Sequence, residues 1–336
     1  MTILLKLLEG RDVSDAVRSW NGGPASTSNT CERKFTNPGW TAKGEVRAAV
    51  TPTGFTTLWF NTGTLCNLTC AGCYIESSPR NDRLAYLTPD DVRQYLDEVL
   101  RDHPGVAEIG FTGGEPFMNP DIVEILEATL GAGFRVLVLT NAMLPMGHRQ
   151  ASLLQLQARY PHKLALRVSL DDYSREGHER VRGPNSWAPA ISGLQWLSQN
   201  GFDLAVAARI FNRTDEDAMR RDFATLFSAY DIRVEAGDPH RLVLFPEMDN
   251  AADVPEISEH CWGILGRSPS DIMCATSRMV VKRKGADRPV VVSCTLLPYD
   301  QKFEMGHSLA EANRPVQLNH PYCSKFCVLG GASCSR

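Results

Sequence analysis

Short apolar runs recur along the chain at 57–61, 106–111, 134–140, 164–170, 204–211 and 241–245, rich in Val, Leu, Ile and Ala and largely continuous rather than alternating. Runs of this kind predict strands buried on both faces. Between them the pattern changes to the helical period. Thr88-Pro89-Asp90-Asp91 offers a capping hydroxyl, a proline at the first helical position and acids in the first turn. Val92, Tyr95, Leu96, Val99 and Leu100 then repeat on one apolar face. Asn119-Pro120-Asp121 opens a second helix carrying Ile122, Ile125 and Leu126, and a third is predicted over 148–160. A fourth follows Trp187 with Ile191, Leu194 and Leu197, and a fifth starts at Thr214 with Phe223, Leu226 and Phe227. Strands alternating with helices require repeated right-handed crossovers and a parallel sheet, either doubly wound or curled into an open partial barrel. Residues 1–55 read as an irregular extension, with a flexible loop at 22–30, and after about residue 250 the alternation gives way to a Cys- and Pro-containing tail. The expected division is therefore 1–55, 56–250 and 251–336.

Composition narrows the function classes. With 336 residues, 43% hydrophobic and 22% charged, the chain can bury a sizeable core. A formal net charge of −4 lacks the basic excess of a nucleic-acid binder. No apolar run reaches the ~18 residues that a membrane span needs, and MTILLKLLEG turns polar without a signal-peptide cleavage pattern. The expectation is a cytoplasmic protein with neither nucleic-acid nor membrane partners. Ten cysteines in a reducing compartment then point to metal binding or catalysis rather than disulfides. Cys66, Cys70 and Cys73 form one group, and Cys261, Cys274, Cys294, Cys323, Cys327 and Cys334 lie in the last quarter, with none between Cys73 and Cys261. That distribution suggests two metal sites on a cysteine-free scaffold.

The first group follows the first strand as Cys66-x3-Cys70-x2-Cys73. Three thiolates on one loop supply three of the four ligands of a cysteinyl [4Fe–4S] site and leave one iron open. No histidine or acid lies inside the loop to complete a tetrahedral zinc shell. The second strand ends in Gly113-Gly114-Glu115-Pro116, where glycine permits close approach and unusual backbone angles and proline fixes the exit.

These two motifs, one βα unit apart, resemble those of the radical S-adenosylmethionine (SAM) superfamily. The resemblance implies an α/β partial (β/α)6 TIM-like barrel whose [4Fe–4S] cluster binds SAM and cleaves it reductively. The resulting 5′-deoxyadenosyl radical abstracts hydrogen from an unactivated carbon, chemistry that belongs to the cofactor. It also implies SAM contacts at Gly113, Gly114, Glu115 and Pro116, and at Ser169, which ends the fourth strand. Arg182 of Arg180-Val181-Arg182-Gly183 would pair with the SAM carboxylate through its guanidinium fork, and Asn141 at the end of strand three would face the site. Many members carry an aromatic before the third cysteine; here Gly72 stands there and Tyr74 follows, near the expected adenine. Read without the resemblance, Ser169 and Asn141 suit ordinary turns or caps, and Arg182 a solvated surface.

In the tail, Cys274 and Cys294 flank a run that reads as a hairpin turning near Gly285, which makes them neighbours. Cys323-x3-Cys327 and Cys334 follow. The segment resembles the auxiliary-cluster extension called SPASM, or its shorter Twitch form. That implies a second [4Fe–4S] cluster on Cys274, Cys294, Cys323 and Cys327, with Cys334 as substitute or extra ligand; a zinc-ribbon-like site is the alternative. Cys31 and Cys261 fit neither set and read as buried thiols. Arg278, Lys282, Arg283, Lys284 and Arg288 read as a solvated face, or as an attractor for an acidic peptide. Extension-bearing relatives mostly modify peptides or proteins and a minority act on small molecules. The expected substrate is thus a peptide or protein side chain, with dehydrogenation or rearrangement of a small metabolite as the alternative. A flavodoxin or ferredoxin would supply electrons. A non-enzymatic zinc or Fe–S partner-binding protein is the reading from a different class. Asp171, Asp172, Glu247 and Asp249 lie at or after strand ends, and none stands out as a catalytic base.

Overall fold

All six apolar runs form strands, and the six lie side by side in one sheet. The computed structural model describes residues 33–211, 215–247 and 253–331; Cys31, Thr214, Asp249, Cys334 and the loop at 22–30 lie outside the described residues. A two-residue strand β1 (Ala49–Val50) precedes β2 (Thr57–Asn61), β3 (Glu108–Thr112), β4 (Arg135–Thr140), β5 (Leu164–Ser169), β6 (Asp203–Ile210) and β7 (Leu242–Pro246). From β2 to β7 the strands follow chain order in the sheet, and every neighbouring pair is parallel. A doubly wound sheet reverses order at a switch point. Here nothing reverses, so right-handed crossovers of one sense carry the helices to one face and the sheet curls into the partial barrel.

The longer helices are α1 (Pro89–Asp102), α2 (Ile122–Gly131), α3 (Gln150–Arg159), α4 (Arg175–Arg182), α5 (Trp187–Gln199) and α6 (Glu216–Ala229). Helix α1 begins with a full capping box, Thr88 accepting from the Asp91 N–H while Asp91 accepts from the Thr88 N–H. Its buried stripe is Val92, Tyr95, Leu96 and Val99; Leu100, expected on the same face, is exposed. Helix α4 was read only as an arginine-containing segment. It starts at Ser174, whose hydroxyl accepts from the Gly177 N–H, and ends at Gly183.

Aromatic side chains fill the first strands. Phe60 stacks on Phe111 at 5.6 Å and meets Tyr95 of α1 edge-on at 6.2 Å. Trp59 lies across Gly110, its register partner on β3; a Cβ there would sit 2.4 Å from the indole, so β3 needs a glycine at that position.

The sheet continues into residues expected in the tail. The hairpin of β8 (Ser277–Val281) and β9 (Val290–Val292) is present, and β8 pairs in parallel with β2, Thr57 opposite Ser277. This overturns the solvated basic face at Arg278, while Lys282 and Arg283 are half-buried and Lys284 and Arg288 are exposed as expected. As an interior strand β8 is buried on both faces, and Arg278 is 1% exposed. Lys282 bonds both Asp91 oxygens at 2.9 and 3.1 Å, Arg283 pairs with Glu304, and Lys284 with Asp82. Strand β10 (Val316–Gln317) returns to pair with β1, and a helical segment, Cys323–Leu329, follows it. Among the described residues no helix is long and apolar enough to cross a membrane.

Candidate functional site

The loop that leaves β2 is held by its own polar residues. Cys66 N–H donates to the Ser78 carbonyl at 3.1 Å, and Thr64 bonds both N–H and C=O of Leu84. Tyr299 Oη reaches the Ile75 carbonyl at 2.7 Å and accepts from Asn81, so the tail buttresses the loop. Gly72 sits at φ +64, in the left-handed region, which explains glycine where an aromatic is common. The Leu68 N–H points at Cys66 Sγ at 3.4 Å, and Ala71 N–H donates to the Val181 carbonyl of α4 at 2.7 Å.

The Gly113–Pro116 turn packs directly on this loop. Gly114 and Glu115 donate backbone N–H bonds to the Gly63 and Leu65 carbonyls at 2.8 and 3.1 Å. A Cβ on Gly114 would lie 2.1 Å from the Leu65 oxygen, and one on Gly113 2.5 Å from the Gly63 oxygen. The close approach these glycines permit includes contact between protein segments. Glu115 is buried and accepts from Thr140 Oγ1 at 2.8 Å, Asn141 N–H at 2.8 Å and Phe117 N–H at 3.2 Å. Burial pushes its pKa up to about 7 against those three donors. Its side chain thus ties the turn to the end of β4.

Cys66, Cys70, Cys73, Tyr74, Gly113, Gly114, Asn141, Ser169 and Arg182 all line one cavity of about 180 Å³ at the C-terminal ends of the strands. Glu115 and Pro116 are not among its lining residues. Asn141 Nδ2 bonds Asn67 Oδ1 at 2.9 Å and approaches Cys66 Sγ at 4.0 Å. Arg182, far from solvated, gives its Nε to Asp171 at 2.5 Å, while Arg209 of β6 reaches the other Asp171 oxygen at 2.9 Å. Arg209 also donates to the Ala71 and Gly72 carbonyls, closing a link from β6 to the cysteine loop. Burial opposes ionisation of Asp171, but the two guanidinium groups outweigh it and hold the carboxyl below the ordinary range. Sequence reasoning named Asp171 among generic acids and missed Arg209 entirely; pairing at that distance along the chain leaves no local signal. Of the other acids, Asp172 accepts from Ser174 N–H and hydroxyl at 2.7 Å, a capping role.

The three thiols and Arg182 at this cavity have the donor chemistry that a cluster and SAM need, although among the described residues no three His, Cys, Asp or Glu side chains are gathered tightly enough for a single metal ion. Burial raises the Cys66 thiol to about 12 and Cys70 also upward; such thiols lose their protons when metal cations supply the opposing charge. The Arg182 terminal amino groups have no hydrogen bond among the described residues and stand at the cavity, with donors for a carboxylate.

A second, smaller cavity is lined by Cys274, Cys294, Cys323 and Cys327 with Met273, Leu297, Phe303 and Leu318. Four thiols with apolar walls have the donor set of a closed cysteinyl cluster. Ser293 Oγ is buried in the same wall without a hydrogen-bond partner among the described residues, and the Leu296 N–H points at Cys294 Sγ at 3.3 Å. Burial raises Cys274 to about 11 and Cys323 well above its ordinary value. Cys261, by contrast, accepts from the Ser258 N–H and lines neither cavity. The same two chain segments contribute to both cavities, with no residue lining both. Leu296 and Phe326 face the first, while Cys294, Leu297, Cys323 and Cys327 face the second. Phe326 stacks on Phe245 of β7 at 5.5 Å.

A singly wound partial barrel with a three-cysteine loop at its C-terminal mouth defines the radical SAM class. Residues 60–224 match the model of the Radical SAM superfamily, and the chain belongs to it; a [4Fe–4S] cluster and SAM are that superfamily's cofactors. The chain is 36% identical over 149 residues to the antilisterial bacteriocin subtilosin biosynthesis protein AlbA of Bacillus subtilis, which covers 44% of this chain and 32% of AlbA. It is 29% identical over 153 residues to an AdoMet-dependent heme synthase of Methanosarcina barkeri, covering 45% and 42%. The matched segments thus span less than half the length of these relatives. Among solved structures, SuiB of Streptococcus suis bound to S-adenosylmethionine superimposes with a TM-score of 0.53 at 14% identity, covering 76% of this chain and 63% of SuiB. That likeness shows the fold, including the partial barrel.

Proposed function

We propose that this protein is a peptide-modifying radical SAM enzyme with one SAM-binding cluster on Cys66, Cys70 and Cys73 and an auxiliary cluster on Cys274, Cys294, Cys323 and Cys327. The observation that carries the reading is the convergence of four successive strand ends on one cavity: the cysteine loop after β2, Gly113 and Gly114 after β3, Asn141 after β4, and Ser169 of β5 with Arg182 of α4. Bound together, cluster and SAM supply a 5′-deoxyadenosyl radical that takes a hydrogen atom from an unactivated carbon of the substrate. The chain's own residues orient and enclose it. Arg182, fixed through Nε by Asp171, turns its remaining donors to the SAM carboxylate; Tyr74, Leu296, Phe245 and Phe326 wall the cavity and keep water from the reacting carbon.

A peptide substrate is supported by AlbA, a bacteriocin biosynthesis protein, and by the likeness to SuiB, which has also been solved bound to the precursor peptide SuiA. The heme synthase relative supports a small-molecule substrate as the second reading. The described cysteines gather mainly around the two cavities, an arrangement suited to a reducing cytoplasm, where a flavodoxin or ferredoxin would donate the electron. Residues 56–250 carry the SAM site and 251–336 the auxiliary site in this division, with β8 and β9 joining the barrel sheet.

The test is anaerobic reconstitution with iron and sulfide, followed by SAM and a reductant. 5′-Deoxyadenosine is expected from the native chain and rises when the peptide substrate is added, with a mass shift in that peptide. Cys70→Ala should form none, and Cys294→Ala should still cleave SAM. Arg182→Ala removes a charge-assisted bond worth about 1.5–3 kcal/mol, a ~10- to 150-fold loss of SAM affinity by calorimetry. Deoxyadenosine formation by Cys70→Ala, or an unchanged affinity in Arg182→Ala, refutes the corresponding assignment.

A further inference from the structure

Arg278 is a buried cation with no acid beside it among the described residues. Arg278 of β8 is 1% exposed, yet its hydrogen bonds run to neutral carbonyls: Nε to Ala312 at 3.0 Å, Nη1 to Cys274 at 2.5 Å and Ser277 at 2.8 Å, and Nη2 to Arg314 at 3.1 Å. Its guanidinium stands 4.9 Å from the centre of the Phe55 ring. The other fully buried arginine of comparable size, Arg47, has Glu256 at 2.5 Å, and Arg182 has Asp171. No carboxylate among the described residues pairs with Arg278. An unpaired buried charge is costly, and folds retain one where an opposite charge meets it.

The ionisable groups of opposite sign that act on Arg278 are the thiols of Cys274 and Cys294. Both line the second cavity, and the Cys274 backbone is fastened directly to Nη1. As thiols they carry no charge. As cluster ligands they are thiolates, and four thiolates outweigh the charge of a [4Fe–4S] core, leaving the centre anionic.

We propose that Arg278 is the built-in counter-cation of the second cluster, and that it holds the cluster's reduction potential up by stabilising the reduced, more negative state. The proposal rests on the four-cysteine assignment made above. A fixed positive charge in a low-dielectric wall acts on the added electron with little screening, and charge and hydrogen bonding around the sulfurs are the levers by which a protein sets such a potential. Arg278 lines neither cavity and acts on the centre from behind Cys274, to whose carbonyl it is bonded, so it is a positioning residue. Its carbonyl bonds hold the guanidinium in place, and its charge does the tuning.

The experiment uses the full chain carrying Cys66→Ala, Cys70→Ala and Cys73→Ala, which leaves one cluster to observe. After anaerobic reconstitution it is titrated with dithionite through redox mediators and followed by electron paramagnetic resonance. The cluster gains one electron from dithionite, and no bond to the protein forms or breaks. Arg278→Gln is expected to shift the reduced-to-oxidised ratio at a fixed poise at least tenfold toward oxidised, which is ~59 mV more negative for a one-electron couple. Arg278→Lys keeps the charge and is expected to hold that ratio within about twofold of the parent, since the local Coulomb interaction survives. An iron-loaded Arg278→Gln chain with an unmoved ratio overturns the proposal. A tenfold displacement in iron-loaded Arg278→Lys overturns it too, because the charge is still there, and this variant carries the test if Arg278→Gln does not fold. Iron, sulfide and zinc analysis of the parent separates the two levels of failure: zinc without iron there overturns the assignment of an iron–sulfur cluster to these four cysteines.

Discussion

Replacing Asp171 by Asn removes one negative charge from between two guanidinium groups while leaving the side-chain shape almost unchanged. The Asp171 side chain is 3% exposed, with Arg182 at 11% and Arg209 at 17%, so water replaces little of the lost interaction. Breaking a buried ion pair from one side costs about 3–5 kcal/mol. Because Arg209 keeps some solvent, the lower end, ~3 kcal/mol, is the expected loss here. For a chain of 336 residues that is a fall of about 4 °C in the unfolding midpoint. Differential scanning calorimetry at pH 7 on the metal-free chain measures it, with Arg180→Ala as the control; Arg180 is exposed and its contact with Glu176 is 4.0 Å long, so that change stays within ~0.5 kcal/mol. Acid titration adds a second readout. The folded-state pKa of Asp171 lies below the ordinary carboxylate value, so its contribution is complete above about pH 3.9 and disappears as pH falls through the depressed folded value. Asp171→Asn should lack that acid-side loss. A midpoint within about 2 °C of the parent, together with an unaltered acid limb, would refute the claim that this carboxylate anchors the site.

Three further outcomes follow from geometry already described. Glu115→Ala strands the Thr140 hydroxyl and the Asn141 and Phe117 N–H groups in the interior, and at about 1 kcal/mol or more for each the loss is ~3 kcal/mol by denaturant titration. Gly114→Ala forces a methyl against the Leu65 carbonyl, so stability falls by about 1–3 kcal/mol and SAM binding weakens with the displaced cysteine loop; unchanged calorimetric affinity would count against that packing. Two cysteinyl [4Fe–4S] clusters predict about eight irons per reconstituted chain and about four once Cys66, Cys70 and Cys73 are Ala, counted by colorimetric iron assay.

The parallel strands were legible because each is an unbroken apolar run, a signal carried by adjacent residues. The cysteine groupings were visible in local spacing, but that Cys323 and Cys327 meet the hairpin pair Cys274 and Cys294 at one cavity depended on the fold. Helix α4 was not legible, because its eight residues are mostly charged and its start rests on the Ser174 cap. The Asp171–Arg209 pair and the burial of Arg278 were hidden because each depends on which strands become neighbours. Nothing near Arg278 in sequence announces that β8 will slot in beside β2, some two hundred residues earlier, and there a run of basic residues looks like ordinary surface. Chemistry written in spacing can be read directly; chemistry written in register needs the fold.

That one late segment contributes to both cavities also orders events during synthesis. Phe326, which closes the first cavity against Phe245, belongs to a segment that leaves the ribosome after every strand of the barrel. A nascent chain that has completed its barrel but not this segment therefore holds its cysteine loop beneath an unroofed opening. The same few residues carry Cys323 and Cys327, so roofing the first cavity and supplying the second with thiols are a single step. A radical generated before that step would be more open to solvent, and the chain's own layout defers a fully walled chamber until Cys323 and Cys327 have arrived.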